Sequence, residues 1–442
     1  MGSYLPNSAS EQKEMLEFLG LKSLDDLYSH LPKDVLLNRE LNIPGGKSEA
    51  EIRRQMEELA AKNKIFRTVF RGAGAYRHYI PSFVRSIASR EKFVTAYTPY
   101  QAEISQGILQ SIFEFQTMIA ELTGLKASNA SVYDAAQACA EAVAMCVDRK
   151  RSAVYVSETI HPDYLRTLQT YCFAGNRELV VIPEKDGVTD LSALKEILNA
   201  ETSALFIMQQ PNFYGIIEDA VPLGEAAKAA GAKFVMCVNP FFSAIGKTPG
   251  ECGADIAVGE GQPLGIPLSF GGPYLGFMAA TPEMARKLPG RISGQTVDVD
   301  GKRAFVLTLQ AREQHIRREK SSSCICSNQA LCAMIAASYM ATMGPSGMTE
   351  VAQQCLSKAH YAAEKITAIP GYEFAVKGDF FHEFVTKCPV DPEKLMAKLE
   401  KKNILGGYVL QGKHQNNIMW CFTEMNTKAE IDELAALLKE GV

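Results

Sequence analysis

The residues best placed for chemistry were sought first as catalytic signatures, and most fail on a single position. Gly72-Ala73-Gly74 begins like a dinucleotide-binding turn, but Arg77 stands where the third glycine belongs. Gly246-Lys247-Thr248 ends like a phosphate-binding loop, yet the glycine needed five positions before Gly246 is Phe241. Neither an H-E-x-x-H zinc helix nor a G-x-S-x-G nucleophile elbow occurs. Cys324 and Cys326 form a lone C-x-C with no second pair and no histidine at ligand spacing, so no metal ligand set is expected. His315 with Arg312, Arg317 and Arg318 reads either as an anion site or as a solvated basic helix face. What remains is Tyr97-Thr98-Pro99-Tyr100-Gln101, where two hydroxyls and an amide can donate and Pro99 stiffens the turn.

The elements that must position these groups follow from periodicity. In 1–65 the hydroxyl and carboxylate of Ser8/Glu11 and of Ser48/Glu51 fit reciprocal helix caps, with Pro32 and Pro44-Gly45-Gly46 as breakers. Apolar residues there are few, so this is expected to be a helical arm. From 66 to 320 short apolar runs alternate with helical ones. Runs 153–156, 179–182, 204–208 and 233–238 are nearly continuous in Val, Ile, Leu, Phe and Met, as in strands covered on both faces, with helices near 161–173, 191–199 and 220–230 between them. Ile108, Ile112, Phe115, Ile119 and Leu122 form one helical stripe. A mostly parallel mixed sheet flanked by helices is the expected large α/β domain. Residues 321–442 read as a small α+β domain: a helix over 328–343, a breaker at Gly344-Pro345-Ser346-Gly347, strands at 380–385 and 418–422, and helices near 391–402 and after the Thr427/Glu430 cap.

The chain has 442 residues, 47% hydrophobic and 22% charged, with Lys+Arg 46 against Asp+Glu 50 and a formal charge of −4. That balance gives no electrostatic reason to expect nucleic acid. No apolar run reaches the roughly 18 residues of a membrane span; the most apolar stretch, 135–147, carries Gln137 and Glu141. Met1 to Glu11 lacks a basic-then-apolar leader, and the 11 cysteines are scattered and odd in number, so a bacterial cytoplasmic location with reduced thiols is expected.

Several long segments closely resemble the glycine-cleavage-system P-protein family. They are Tyr97 to Gly107 with Phe115-Gln116-Thr117-Met118 and Leu122-Thr123-Gly124-Leu125, Gly72 to Tyr76, His78 to Pro81, Gly253 to Gln262, and Ala311 to Arg318. The resemblance runs from Tyr4 to near the C-terminus, and the length is similar to that of subunit 1 (the α chain) of the two-chain bacterial form. It implies the aspartate-aminotransferase-like fold of pyridoxal-phosphate-dependent transferases. It further implies a partner β subunit that carries the cofactor, decarboxylates glycine and passes the aminomethyl group to the lipoyl arm of H-protein.

A pyridoxal-phosphate site needs a lysine amine, a carboxylate for the pyridinium nitrogen and a polar loop for the phosphate. The segment where the resemblance places the lysine, 253–286, contains none, and Gln262-Pro263 stand in its place. Asn239 follows the strand ending at Val238 where such enzymes carry aspartate. Ser131 and Asp134, before an alanine-rich helix, read as caps in a former phosphate loop. His161 sits where relatives stack a ring on the cofactor. Ser131, His161, Asn239 and Gln262 are therefore expected to be a remnant pocket, with no catalytic residue and no cofactor covalently held in this chain alone. Tyr97, Tyr100 and Gln101, with Tyr76 and His78, are candidates for the partner's active site, with interface packing as the equal alternative. Arg71 stands where relatives tend to be apolar. Two other readings stay open: a stand-alone pyridoxal-phosphate transferase or decarboxylase, and a non-catalytic scaffold paralogue.

Overall fold

The computed structural model describes residues 7–37 and 39–441. The leading residues 1–6, read above for a signal, lie outside them. The chain divides into two compact units, 1–64 and 65–442.

In the first unit both capping boxes form. Ser8 opens the helix Ala9–Phe18 and Ser48 opens Glu49–Ala60, each with its glutamate bonding back to the cap. Neither helix has a buried residue, and Phe18 is fully on the surface.

The second unit is built on a seven-stranded sheet. Across it the strands run Ala127–Ser128, Gly276–Ala280, Ile256–Glu260, Lys233–Val238, Ser203–Gln210, Ala153–Ser157, Leu179–Ile182. The last five are mutually parallel, while Gly276–Ala280 is antiparallel to both its neighbours. This is the mixed, mostly parallel sheet expected. The runs 153–156, 204–208 and 233–238 are buried on both faces because the helices Gln106–Thr123 and Ala220–Ala229 pack into one core and Ala135–Cys146 and Pro162–Ala174 into another, whereas 179–182, expected to be covered likewise, is the edge strand and leaves Val181 exposed. The stripe on Gln106–Thr123 is centred one residue from the expected one: Leu109, Ile112, Phe115 and Ile119 are buried, whereas Ile108 and Leu122 are half-buried.

A third core gathers the strands Glu383–Thr386, Ile418–Cys421 and Tyr408–Val409, the helices Pro392–Lys401 and Lys428–Glu440, and the end of Ala330–Thr367. Contacts cross the expected division at 320/321. Thr68–Val69 pairs in parallel with Ile404–Leu405, and Phe213 and Ile216 join this third core. The breaker expected at 344–347 is present: Gly344 (φ 62°, ψ 176°) is non-helical, so Ala330–Thr367 is two helices meeting at a kink, and Pro345 starts the second, where its missing N–H costs nothing. Among the described residues no helix is long and apolar enough to cross a membrane.

Candidate functional site

In an open α/β sheet the ligand crevice lies outside the carboxyl ends of the strands. Here those ends deliver His161 after Ala153–Ser157, Gln209 from Ser203–Gln210, Asn239 after Lys233–Val238, and Glu260 and Gln262 at and after Ile256–Glu260. His161, Asn239 and Gln262 all lie at this edge of the sheet, though of the three only Asn239 lines the small cavity there. Ser131 is not among them: its Oγ accepts from Nδ2 of Asn328 at 2.8 Å, and the helix cap is made by Asp134 alone, through the N–H of Gln137 at 2.7 Å.

Each gathered side chain is already engaged. Gln262 is buried, with its Nε2 donating to the carbonyls of Tyr76 at 2.9 Å and Ile266 at 2.8 Å, while its Oε1 accepts the N–H of Tyr76 at 2.9 Å. It grips both sides of one residue in the Gly72–Tyr76 segment, a task for an amide that both donates and accepts. Asn239 uses its Oδ1 on the N–H groups of Phe241 and Phe242 at 2.9 and 3.3 Å, capping a short turn. His161 caps the helix Pro162–Ala174: Nδ1 accepts from the N–H of Asp163, so Nε2 carries the proton and donates to the Ala73 carbonyl at 2.9 Å. Burial holds its pKa below the ordinary histidine value. Its ring stacks on Tyr164, 4.6 Å between centroids.

Glu260, which the sequence reading passed over inside Glu260-Gly261-Gln262, turns out to be central. Its carboxylate accepts from the N–H of Ala135 at 3.2 Å, at the start of the helix Ala135–Cys146, and from Gln262 and Leu275 at 3.0 Å each. A helix N-terminus is the natural seat of a phosphate, and here the protein's own carboxylate holds it. Burial, the largest effect, pushes this carboxyl up to about 7 against the three amides that favour its charge.

Glu383 completes the wall. It accepts Tyr76 Oη at 2.7 Å and the N–H of Ala73 at 2.7 Å, and burial pushes it up to about 7 as well. A glutamate inside the apolar run 380–385 was the signal available for it. The cavity between Tyr76, Tyr164, Asn239, Glu260 and Glu383 measures about 40 Å³. That is room for a water or two, far below the roughly 300 Å³ where small-molecule sites begin. With no amine at 262, a carboxylate on the helix N-terminus and no carboxylate at 239, these residues do not fit pyridoxal phosphate.

The five residues considered for a partner's site divide by exposure. Tyr76 and His78 are closed within this unit: Tyr76 bonds Glu383, and His78 pairs with Glu424 at 2.8 Å with its ring against Phe241. Tyr97 is 82% exposed and Gln101 is exposed too. Between them Tyr100 is half-buried, its hydroxyl donating to the Cys326 carbonyl at 3.2 Å and its ring under the Arg291 guanidinium at 4.6 Å. Arg291 is itself held by the buried Glu313. Farther along, Gln106 clips both the N–H and the carbonyl of Phe305 at 2.8 Å. The loop is pinned at Tyr100 and Gln106 and leaves Tyr97 and Gln101 outward. Arg71 reaches the carbonyls of Gly406 and Gly407, and Arg312 those of Leu288 and Gly290. Arg312 thus does not join His315 in an anion site.

Fold and crevice define the class first: this is the aspartate-aminotransferase-like fold of pyridoxal-phosphate enzymes, as in an alanine–glyoxylate aminotransferase from Nostoc sp. (15% identity, TM-score 0.59, covering 92% of this chain and 98% of that one). The likeness at that identity is one of fold alone. The chain belongs to the glycine cleavage system P-protein family, whose model matches residues 2–438. A relative from Desulforamulus reducens, named probable glycine dehydrogenase (decarboxylating) subunit 1, is 49% identical over 98% of this chain and 99% of its own. The crystal structure of a glycine decarboxylase P-protein in inhibitor-bound form superposes with TM-score 0.92 at 40% identity over the whole of both chains.

Proposed function

We propose that this chain is subunit 1 of a two-subunit glycine dehydrogenase (decarboxylating), a cytoplasmic enzyme of the glycine cleavage system. In this reading subunit 2 holds the pyridoxal phosphate and binds glycine, and lipoylated H-protein receives the aminomethyl group. The observation that carries it is Gln262, committed by three hydrogen bonds to the chain's own backbone in the place of the lysine. Among the described residues no lysine lines the crevice to hold the cofactor covalently, which weighs against a stand-alone transferase. The exposed Tyr97 and Gln101, carried on a loop pinned by Tyr100 and Gln106, support a share in a partner's active-site wall. Family membership and a full-length match to named subunits weigh against an idle scaffold.

The test is reconstitution. This chain alone, its subunit 2 alone and the two together are assayed for glycine-dependent carbon dioxide exchange with lipoylated H-protein. Activity is expected only from the pair. Borohydride reduction after incubation with pyridoxal phosphate is expected to leave this chain unlabelled; activity or label on this chain alone overturns the proposal.

A further inference from the structure

Away from the crevice, three side chains from distant parts of the chain converge on one point. His78 follows the Gly72–Tyr76 segment, Cys355 lies in the second stretch of Ala330–Thr367, and Glu424 sits in the turn after Ile418–Cys421. Their ligand atoms all lie within 4.8 Å of one another. Nδ1 of His78 at 2.8 Å and Sγ of Cys355 at 3.5 Å address the same oxygen, Oε2 of Glu424. The other oxygen accepts the N–H of Tyr79 at 2.6 Å, which fixes the carboxylate's orientation.

A second observation concerns what surrounds the cluster. The Tyr339 hydroxyl, fully buried, has no hydrogen-bond partner, and it is close enough to feel the charges of Glu424 and Cys355. Buried polar atoms are ordinarily satisfied, so the bare Tyr339 hydroxyl marks a place for a group the chain does not supply.

We infer that His78, Cys355 and Glu424 form a binding site for a divalent transition-metal ion, zinc by the chemistry of the donor set, with a fourth position open to the Tyr339 hydroxyl or a water. An imidazole nitrogen, a thiolate and a carboxylate oxygen are the ligands zinc takes in four-coordinate sites, and the mixture disfavours calcium and magnesium, which take oxygen. On binding, the S–H bond of Cys355 is lost as a proton to solvent and an S–metal bond forms. The hydrogen bond from Nδ1 of His78 to Glu424 is broken, the Nδ1 proton leaves and Nε2 is protonated in its place, so that neutral His78 coordinates through Nδ1, and nothing is oxidised or reduced. Lys358, whose Nζ donates to the Glu424 backbone carbonyl, is a neighbouring cation. Carboxylate and thiolate bring the loaded site to zero net charge, one unit more positive than the empty site with its single carboxylate, so Lys358 meets no net cation. The ion would staple Ala330–Thr367 to the 76–79 segment and to the turn at 424. Spacing could not reveal the set, because His78 and Cys355 lie 346 and 69 positions from Glu424.

Cobalt is the spectroscopic probe. The full chain bearing Cys324→Ser and Cys326→Ser, which removes the exposed C-x-C as a competing ligand pair, is expected to bind one cobalt per chain. That form should show tetrahedral ligand-field bands and a thiolate-to-cobalt charge-transfer band, and a further Cys355→Ser should abolish the latter. In case that variant does not fold, crystals of the unsubstituted chain grown with zinc are expected to give a zinc-edge anomalous peak among His78, Cys355 and Glu424. Absence of the charge-transfer band, its survival in a folded Cys355→Ser chain, or an anomalous peak only elsewhere or nowhere overturns the assignment.

Discussion

Gln262 is a structural part of the crevice wall, held on both sides of one residue. An amide there both donates to and accepts from the backbone of Tyr76, and a lysine can only donate. Gln262→Lys is therefore expected to leave the Tyr76 N–H unpaired and to bury an ammonium, costing about 2–4 kcal/mol in denaturant unfolding. It is not expected to create a site: with Glu260 on the helix N-terminus, the variant should develop no aldimine absorbance with pyridoxal phosphate. Appearance of that absorbance would mean that the crevice is closed by residue 262 alone. The missing lysine in 253–286 was legible as a gap in the sequence. The glutamine's partner was not, because Tyr76 lies 186 positions away and no local pattern links the two.

Secondary structure followed local chemistry closely where that chemistry is self-contained. Caps at Ser8, Ser48 and Thr427 form as their hydroxyl–carboxylate spacing requires, and three of the four continuous apolar runs are inner strands of the sheet, the fourth, 179–182, being its edge. Gly344-Pro345 follows the local rule as well: the pair ends one helix, and a second starts at once and packs at an angle to it. Gly344 has φ 62° and ψ 176°, a region essentially reserved for glycine, and an added Cβ would meet nothing within 4 Å. Gly344→Ala is thus expected to destabilise by about 1–3 kcal/mol through backbone strain alone. An unchanged thermal midpoint would show that the kink relaxes at no cost.

For the second unit as a whole, the crevice walls make stability depend on pH. Glu260 and Glu383 both titrate at about 7 in the folded chain, against an ordinary 4.5, because burial penalises their charge. The folded state therefore holds these protons more tightly than the unfolded one. Their contribution is fully present below about 4.5 and is lost as pH rises through about 7, by roughly 3 kcal/mol each. Glu260→Gln is expected to flatten the fall in unfolding free energy between those limits, read from denaturant titrations at a series of pH values. An unchanged slope would mean that this carboxylate is charged and solvated in the folded chain.

Sequence alone determined the mixed α/β sheet, the capped helices, the lack of any lysine in 253–286 and the family, since each is written in short-range periodicity or in contiguous motifs. Tertiary structure decided what the crevice residues bind. Glu260 on a helix N-terminus, Glu383 under Tyr76, Tyr100 beneath Arg291 and the His78–Cys355–Glu424 cluster all join residues that only the folded backbone brings within a few ångströms. Hydrogen bonds and ion contacts depend on that distance, and distance in space between remote residues is set by packing, which no stretch of sequence carries by itself.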